Sequence, residues 1–206
     1  AHSFEQSVEK YKNKDFIFFE DETWTYSEIN NTANILAHKL IEDGISHGDK
    51  VILFMENRPS YVSTILALNK IGAVGVLINT SLKGEPLIHC INSSNSKKCI
   101  FGAELSGSLE GVLSSINITA KSDIYWVQDL PNGNCPEWAT DINKILDLSK
   151  TDNLSETNNV TAKDIAFYIF TSGTTGVPKA ALFPNVKIVA SSTNITRGGY
   201  RMNSED

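Results

Sequence analysis

With 206 residues and a formal net charge of −6, the chain is long enough to bury a core and too acidic to favour a phosphate-backbone partner, so nucleic acid is not expected. Its composition, 41% hydrophobic and 20% charged, is that of an ordinary folded domain, and its longest apolar run, Ile71 to Ile78, falls far short of the roughly 18 residues a membrane-crossing helix needs. Cys90, Cys99 and Cys135 are odd in number and lack a C-x-x-C spacing, which argues for structural thiols in a reducing compartment and against a disulfide framework or a zinc site.

The N-terminal segment carries no basic start followed by an apolar stretch, so it does not read as a signal peptide. Ile17–Phe19 and Thr23–Tyr26 flank an acidic turn and predict a short hairpin. Thr25 and Glu28 form a T-x-x-E capping box. A helix is expected after it, with Ile29, Ala33, Leu36, Ala37 and Leu40 on one face and Gly44 as its stop.

Lys50–Met55 reads as a buried strand, and Arg58-Pro59-Ser60 as a helix start, since proline suits the first helical turn. Ala73–Ile78, Lys98–Phe101 and Asp123–Val127 read as further strands, with helices over Pro86–Ser93 and Leu105–Ile116 between them. Buried strands alternating with helices predict an α/β fold: an open, largely parallel sheet flanked by helices. Asp129 to Thr161 is polar and rich in Asn, Asp and Pro, and reads as a long surface excursion with one helical turn near Ile142–Leu148. The apolar run Ile165–Phe170 then leads into the most informative segment, with a short strand and a helix over Val186–Ile195 after it.

That segment is Thr171-Ser-Gly-Thr-Thr-Gly-Val-Pro-Lys179. Gly173 and Gly176 allow close backbone approach to a ligand, and Ser172, Thr174 and Thr175 supply short hydroxyls. Backbone N–H groups in such a turn make an anion nest, and Lys179 adds a full positive charge. The glycine spacing is that of neither a Walker A loop nor a G-x-G-x-x-G dinucleotide turn. A plain Ser/Thr/Gly surface turn is the alternative, but nine specified positions following a buried strand favour a phosphate cradle. His2, His38, His47 and His89 show no metal-ligand spacing and read as surface or packing residues, so no protein metal site is expected.

Tyr168-Ile-Phe-Thr-Ser-Gly-Thr-Thr-Gly-Val-Pro-Lys-Ala180 resembles the signature loop of the adenylate-forming (AMP-binding) superfamily, which includes acyl-CoA synthetases, luciferases and peptide-synthetase adenylation domains. Thr23–Ile29 and Leu68–Thr80 resemble two earlier motifs of that superfamily, in the right order. Phe54–Pro59, Ala73–Thr80, Glu85–Ile91 and Pro178–Ala181 are similar to the fatty acid transport protein and very-long-chain acyl-CoA synthetase branch. The chain departs from that branch at Leu182-Phe-Pro-Asn-Val186, where its members commonly carry a His.

The resemblance implies that residues 1–206 are the N-terminal part of an adenylation domain, with 171–179 as the phosphate loop and the C-terminal catalytic domain absent. It implies an ATP-dependent fatty acid:CoA ligase working through an acyl-AMP, with ATP, Mg²⁺ and coenzyme A as cofactors and co-substrates. Thr171, Ser172, Gly173, Thr174, Thr175, Gly176 and Lys179 would hold ATP, with Lys179 as the catalytic cation. The 206 residues alone are expected to be inactive, and a cytoplasmic or peripheral membrane location is expected, with self-association open. A non-catalytic nucleotide- or lipid-binding remnant, and an adenylating enzyme for another carboxylate, are the alternative readings. Trp24 and Tyr26 read as hairpin packing and Arg58 as surface or structural, while Glu56 has no carboxylate partner at acid–base spacing.

Overall fold

A computed structural model of the chain describes residues 1–128, 133–171 and 178–194, excepting the side chains of 192–194. Its centre is a seven-stranded sheet. In chain order the first elements are helix α1 (His2–Tyr11), the hairpin β1 (Asp15–Phe19) and β2 (Glu22–Thr25), and helix α2 (Tyr26–Glu42). Strand β3 (Lys50–Phe54), α3 (Pro59–Lys70), β4 (Val74–Leu77), α4 (Gly84–Ser94), β5 (Lys98–Gly102), the short α5 (Ser106–Glu110) and β6 (Ile124–Val127) follow. The described chain closes with β7 (Thr140–Asp141), β8 (Ile165–Thr171), β9 (Lys179–Pro184) and α6 (Asn185–Asn194).

The spatial order is β7-β6-β5-β3-β4-β8-β9. Every neighbouring pair is parallel except β8 and β9, which are antiparallel. Side chains alternate across the sheet as period-two strands require. Val51, Leu53, Ile100, Tyr125 and Val127 pack on one face with α2 and α3. Ile52, Phe54, Cys99, Phe101, Ile124 and Trp126 pack on the other with α4 and α5. The result is the layered α/β architecture expected from the strand–helix alternation.

Local chemistry sets the element ends. Thr25 Oγ1 accepts the Glu28 N–H at 3.2 Å while Glu28 Oε2 accepts the Thr25 N–H at 2.8 Å, which completes the capping box. Ile29, Ala33, Leu36, Ala37 and Leu40 are all buried along α2. Pro59 opens α3 and is itself buried. Cys90 and Cys99 are buried free thiols; burial pushes the Cys90 pKa up to about 11 and that of Cys99 up to about 12.

Three features differ from expectation. Helix α1 lies outside the expected elements, although Phe4, Val8 and Tyr11 stand at helical spacing, and no residue in it is fully buried. It is held by Phe4 against Phe16 and Tyr26, and by Glu5 bonded to the fully buried Lys70. The helix expected over Leu105–Ile116 is instead a short α5 between two 3₁₀ turns, ending at Gly111, a poor helix former. The excursion after β6 is no mere surface loop: β7 extends the sheet, and Ala139, Ile142, Leu154 and Thr157 are buried. Asn153 Oδ1 accepts hydrogen bonds from Asn30 and Asn34 of α2, both at 3.0 Å. The short strand expected after the loop is β9, which pairs antiparallel beside β8.

Candidate functional site

The chain runs from β3 outward to β4, then returns past β3 to lay down β5, β6 and β7. Strand order therefore reverses at the β3/β5 boundary, where open α/β sheets place a ligand crevice at the carboxyl ends. Here that position is filled by protein. Arg58, 5% exposed, donates from Nη2 to Glu104 Oε2 at 2.8 Å, and Glu104 Oε1 accepts the Glu56 N–H at 2.9 Å. A Cβ at Gly102 would collide with the Arg58 guanidinium and the Glu104 carboxylate, so glycine makes room for the pair. Burial works to raise the Glu104 pKa, but the Arg58 hydrogen bond and the backbone N–H groups of Glu56 and Glu104 hold it below the usual carboxylate value.

The open space lies on the other side of β3. A cleft of about 610 Å³ is bounded by Met55, Glu56, Asn57 and Tyr61 after β3, by Leu77 to Thr80 at the end of β4, and by Ile169 and Phe170 of β8. Apolar walls with a polar rim suit a mixed organic ligand. The rim is braced: Asn79 Oδ1 accepts both the N–H and the O–H of Ser81 at 2.9 Å, and burial raises the Tyr61 pKa.

The phosphate segment leaves the sheet beside this cleft. Thr171 ends β8 and Lys179 opens β9, and the two are register partners across the antiparallel pair. Thr171 Oγ1 sits 3.5 Å from the Lys179 carbonyl oxygen, and both residues are exposed. Ser172, Gly173, Thr174, Thr175 and Gly176 lie outside the described residues. The described part of the site is therefore a hairpin neck at the carboxyl edge of the sheet, with its cation at the exit.

Other sequence candidates take structural places. Tyr26 stacks with Phe4 and tilts against Phe16, while Trp24 donates to Glu22 Oε2 at 3.2 Å, so the hairpin aromatics serve packing. Among the described residues no group of three His, Cys, Asp or Glu side chains could hold a metal ion. Two contributors were invisible in the sequence. Glu104 is 46 positions from its partner Arg58, and His89 Nε2 lies 3.0 Å from the Pro178 carbonyl oxygen, 89 positions away. No local spacing encodes such pairs.

The described architecture is a mostly parallel seven-stranded sheet flanked by helices, with Thr171 and Lys179 paired at its carboxyl edge. The chain belongs to the AMP-binding enzyme family, which it matches over residues 4–206. It is 31% identical over 195 residues to long-chain fatty acid transport protein 6 of Mus musculus, covering 93% of this chain and 30% of that protein. It is 30% identical over 203 residues to a medium/long-chain-fatty-acid–CoA ligase of Mycobacterium tuberculosis, covering 98% of this chain and 32% of that one. The chain thus spans about three tenths of the length of these relatives, 30% and 32%. Among solved structures, an anthranilate CoA ligase in complex with anthranoyl-AMP superposes with a TM-score of 0.79 at 22% identity, over 93% of this chain and 36% of that chain. A Mycobacterium tuberculosis fatty acyl CoA synthetase superposes with a TM-score of 0.72 at 23% identity, over 92% of this chain and 35% of that chain. Both share the fold.

Proposed function

We propose that this chain is the N-terminal part of the adenylation domain of a fatty acid:CoA ligase that activates a long- or very-long-chain fatty acid as an acyl-AMP. The observation that carries the reading is the hairpin neck: Thr171 and Lys179 face each other beside a cleft that opens at the carboxyl ends of β3, β4 and β8. The names of the fatty acid transport protein and fatty-acid–CoA ligase relatives support the substrate class. A cytoplasmic or membrane-peripheral location is part of the same proposal. No helix among the described residues is long and apolar enough to cross a membrane.

In this reading residues 171–179 hold the β- and γ-phosphates of ATP. A fatty acid carboxylate oxygen attacks the α-phosphorus, the bond to the bridging oxygen breaks, and pyrophosphate leaves. The thiol of coenzyme A then attacks the acyl carbonyl and AMP departs. Lys179 acts in the first half-reaction, where its ammonium offsets negative charge building on the departing pyrophosphate. Such transfers depend on positioning and charge stabilisation more than on covalent chemistry by the protein. The described residues do not form a Mg²⁺ site of their own. The ion would enter on the ATP phosphates, as Mg²⁺ commonly does.

The test is fatty-acid-dependent ATP–pyrophosphate exchange in the full-length protein, with acids of varied chain length, beside single-turnover transfer to coenzyme A from preformed acyl-AMP. Loss of one preorganised electrostatic contact costs about 3 kcal/mol, so Lys179→Ala lowers exchange on the order of a hundredfold and slows acyl transfer far less. Exchange by Lys179→Ala at the wild-type rate would remove the phosphate role. No exchange by the wild-type protein with any fatty acid would favour a binding remnant or another carboxylate.

A further inference from the structure

We propose that His89 is a positioning residue for the phosphate hairpin, its imidazole N–H anchoring the strand that carries Lys179. His89 is half-buried on α4, and its Nε2 lies 3.0 Å from the Pro178 carbonyl oxygen. A carbonyl oxygen only accepts, so Nε2 carries the hydrogen and donates it. Either the neutral tautomer protonated on Nε2 or the imidazolium makes this bond, and the role requires no proton transfer. Pro178 has no N–H to give to a neighbouring strand, so its carbonyl is its one backbone hydrogen-bonding group.

The anchor is rigid where it needs to be. Leu87, Cys90 and Ile91 on either side of His89 are buried against the sheet, with Cys90 fully so. Ser93 Oγ donates to the His89 carbonyl at 2.6 Å, which ties the same turn from its solvent side. The segment leading into α4 contains Asn79 and Thr80 of the cleft rim. One helix therefore connects the cleft rim to the exit of the hairpin. Across the neck, the Thr171 hydroxyl reaches toward the Lys179 carbonyl, so the first residues of β9 are gripped from α4 and from β8. Holding them lets the Lys179 ammonium meet a phosphate without first ordering its own backbone, and preorganisation of this kind lowers the cost of binding.

The inference rests on the phosphate role proposed above for Lys179, so its test has an arm that does not need activity. In the full-length protein, His89→Ala and His89→Gln are compared with wild type under native trypsin digestion, following cleavage after Lys179 by mass spectrometry. Cleavage after Lys98, buried in β5, is the control for global unfolding. One neutral hydrogen bond corresponds to roughly a fivefold effect. His89→Ala raises cleavage after Lys179 by about that factor with Lys98 unchanged, and His89→Gln, whose amide N–H can reach the same carbonyl, restores the wild-type rate. In ATP–pyrophosphate exchange, His89→Ala raises KM for ATP by a similar factor while KM for the fatty acid stays put. Equal cleavage in wild type and His89→Ala, or failure of Gln to restore protection, overturns the anchor. The expected cleavage pattern without exchange by the wild-type protein leaves the anchor standing and removes the ligase reading instead.

Discussion

Replacing Glu104 by glutamine tests what the filled switch point contributes. Arg58 keeps only 3% side-chain exposure and Glu104 18%, so the substitution takes a paired carboxylate charge away from a buried guanidinium. Breaking a fully buried pair costs about 3–5 kcal/mol; the residual exposure of Glu104 and the oxygen that glutamine retains bring the expected loss to about 2 kcal/mol. For a domain of this size each kcal/mol lowers Tm by about 2–4 °C, so Glu104→Gln should melt about 4–8 °C below wild type at pH 7. The pH dependence has a definite sign. The folded-state pKa of Glu104 is depressed, so its contribution is present above the unfolded value, about 4.3, and is lost as pH falls through the folded value. The gap between wild type and Glu104→Gln should therefore be full at pH 7 and shrink below about pH 4. Scanning calorimetry at both pH values measures it. A Tm within about 1 °C of wild type at pH 7, or a gap that widens on acidification, would refute the assignment of this pair as a structural plug.

Thiol accessibility should separate the three cysteines: a disulfide reagent at pH 8 modifies Cys135, while the buried Cys90 and Cys99 react only on denaturation. Fast labelling of all three in the native protein would contradict the packing of α4 and β5. Thr25→Ala, which removes the cap of α2, should cost about 1 kcal/mol in urea unfolding, with an unchanged m-value. An unchanged midpoint would mean that the cap contributes nothing beyond solvent.

What could be read in the chain was whatever local chemistry decides. The Thr25–Glu28 box, the proline at the head of α3 and the apolar runs of β3 to β6 each act within a few residues, and each appears where its pattern places it. Helix α1 escaped because its apolar stripe, Phe4, Val8 and Tyr11, is short and only half-buried, and packs as an aromatic group beside the Glu5–Lys70 pair. The excursion after β6 looked superficial because its anchors are amides, with Asn153 serving Asn30 and Asn34 from more than a hundred positions away. At the site, residues 171–179 could be read only as a linear motif. The Arg58–Glu104 pair and the His89–Pro178 contact could not be read at all, since they exist only after the strands have been ordered in space.

The strand order also has a consequence for how the domain assembles. Strands β3 to β6 and the helices on both their faces are contributed by residues 26–127, one contiguous stretch. The chain must then cross from β7 at one edge back to β4 before β8 can pair, with β9 next in sequence beside it. A chain emerging from the ribosome amino end first can bury both sides of the scaffold while the hairpin is still unmade, since domains consolidate as their segments become available. The most distant strand closure, β8 on β4, is also the one that brings Thr171 and Lys179 to the edge of the cleft. A chain in which β8 had yet to pair would have both layers without the Thr171–Lys179 neck.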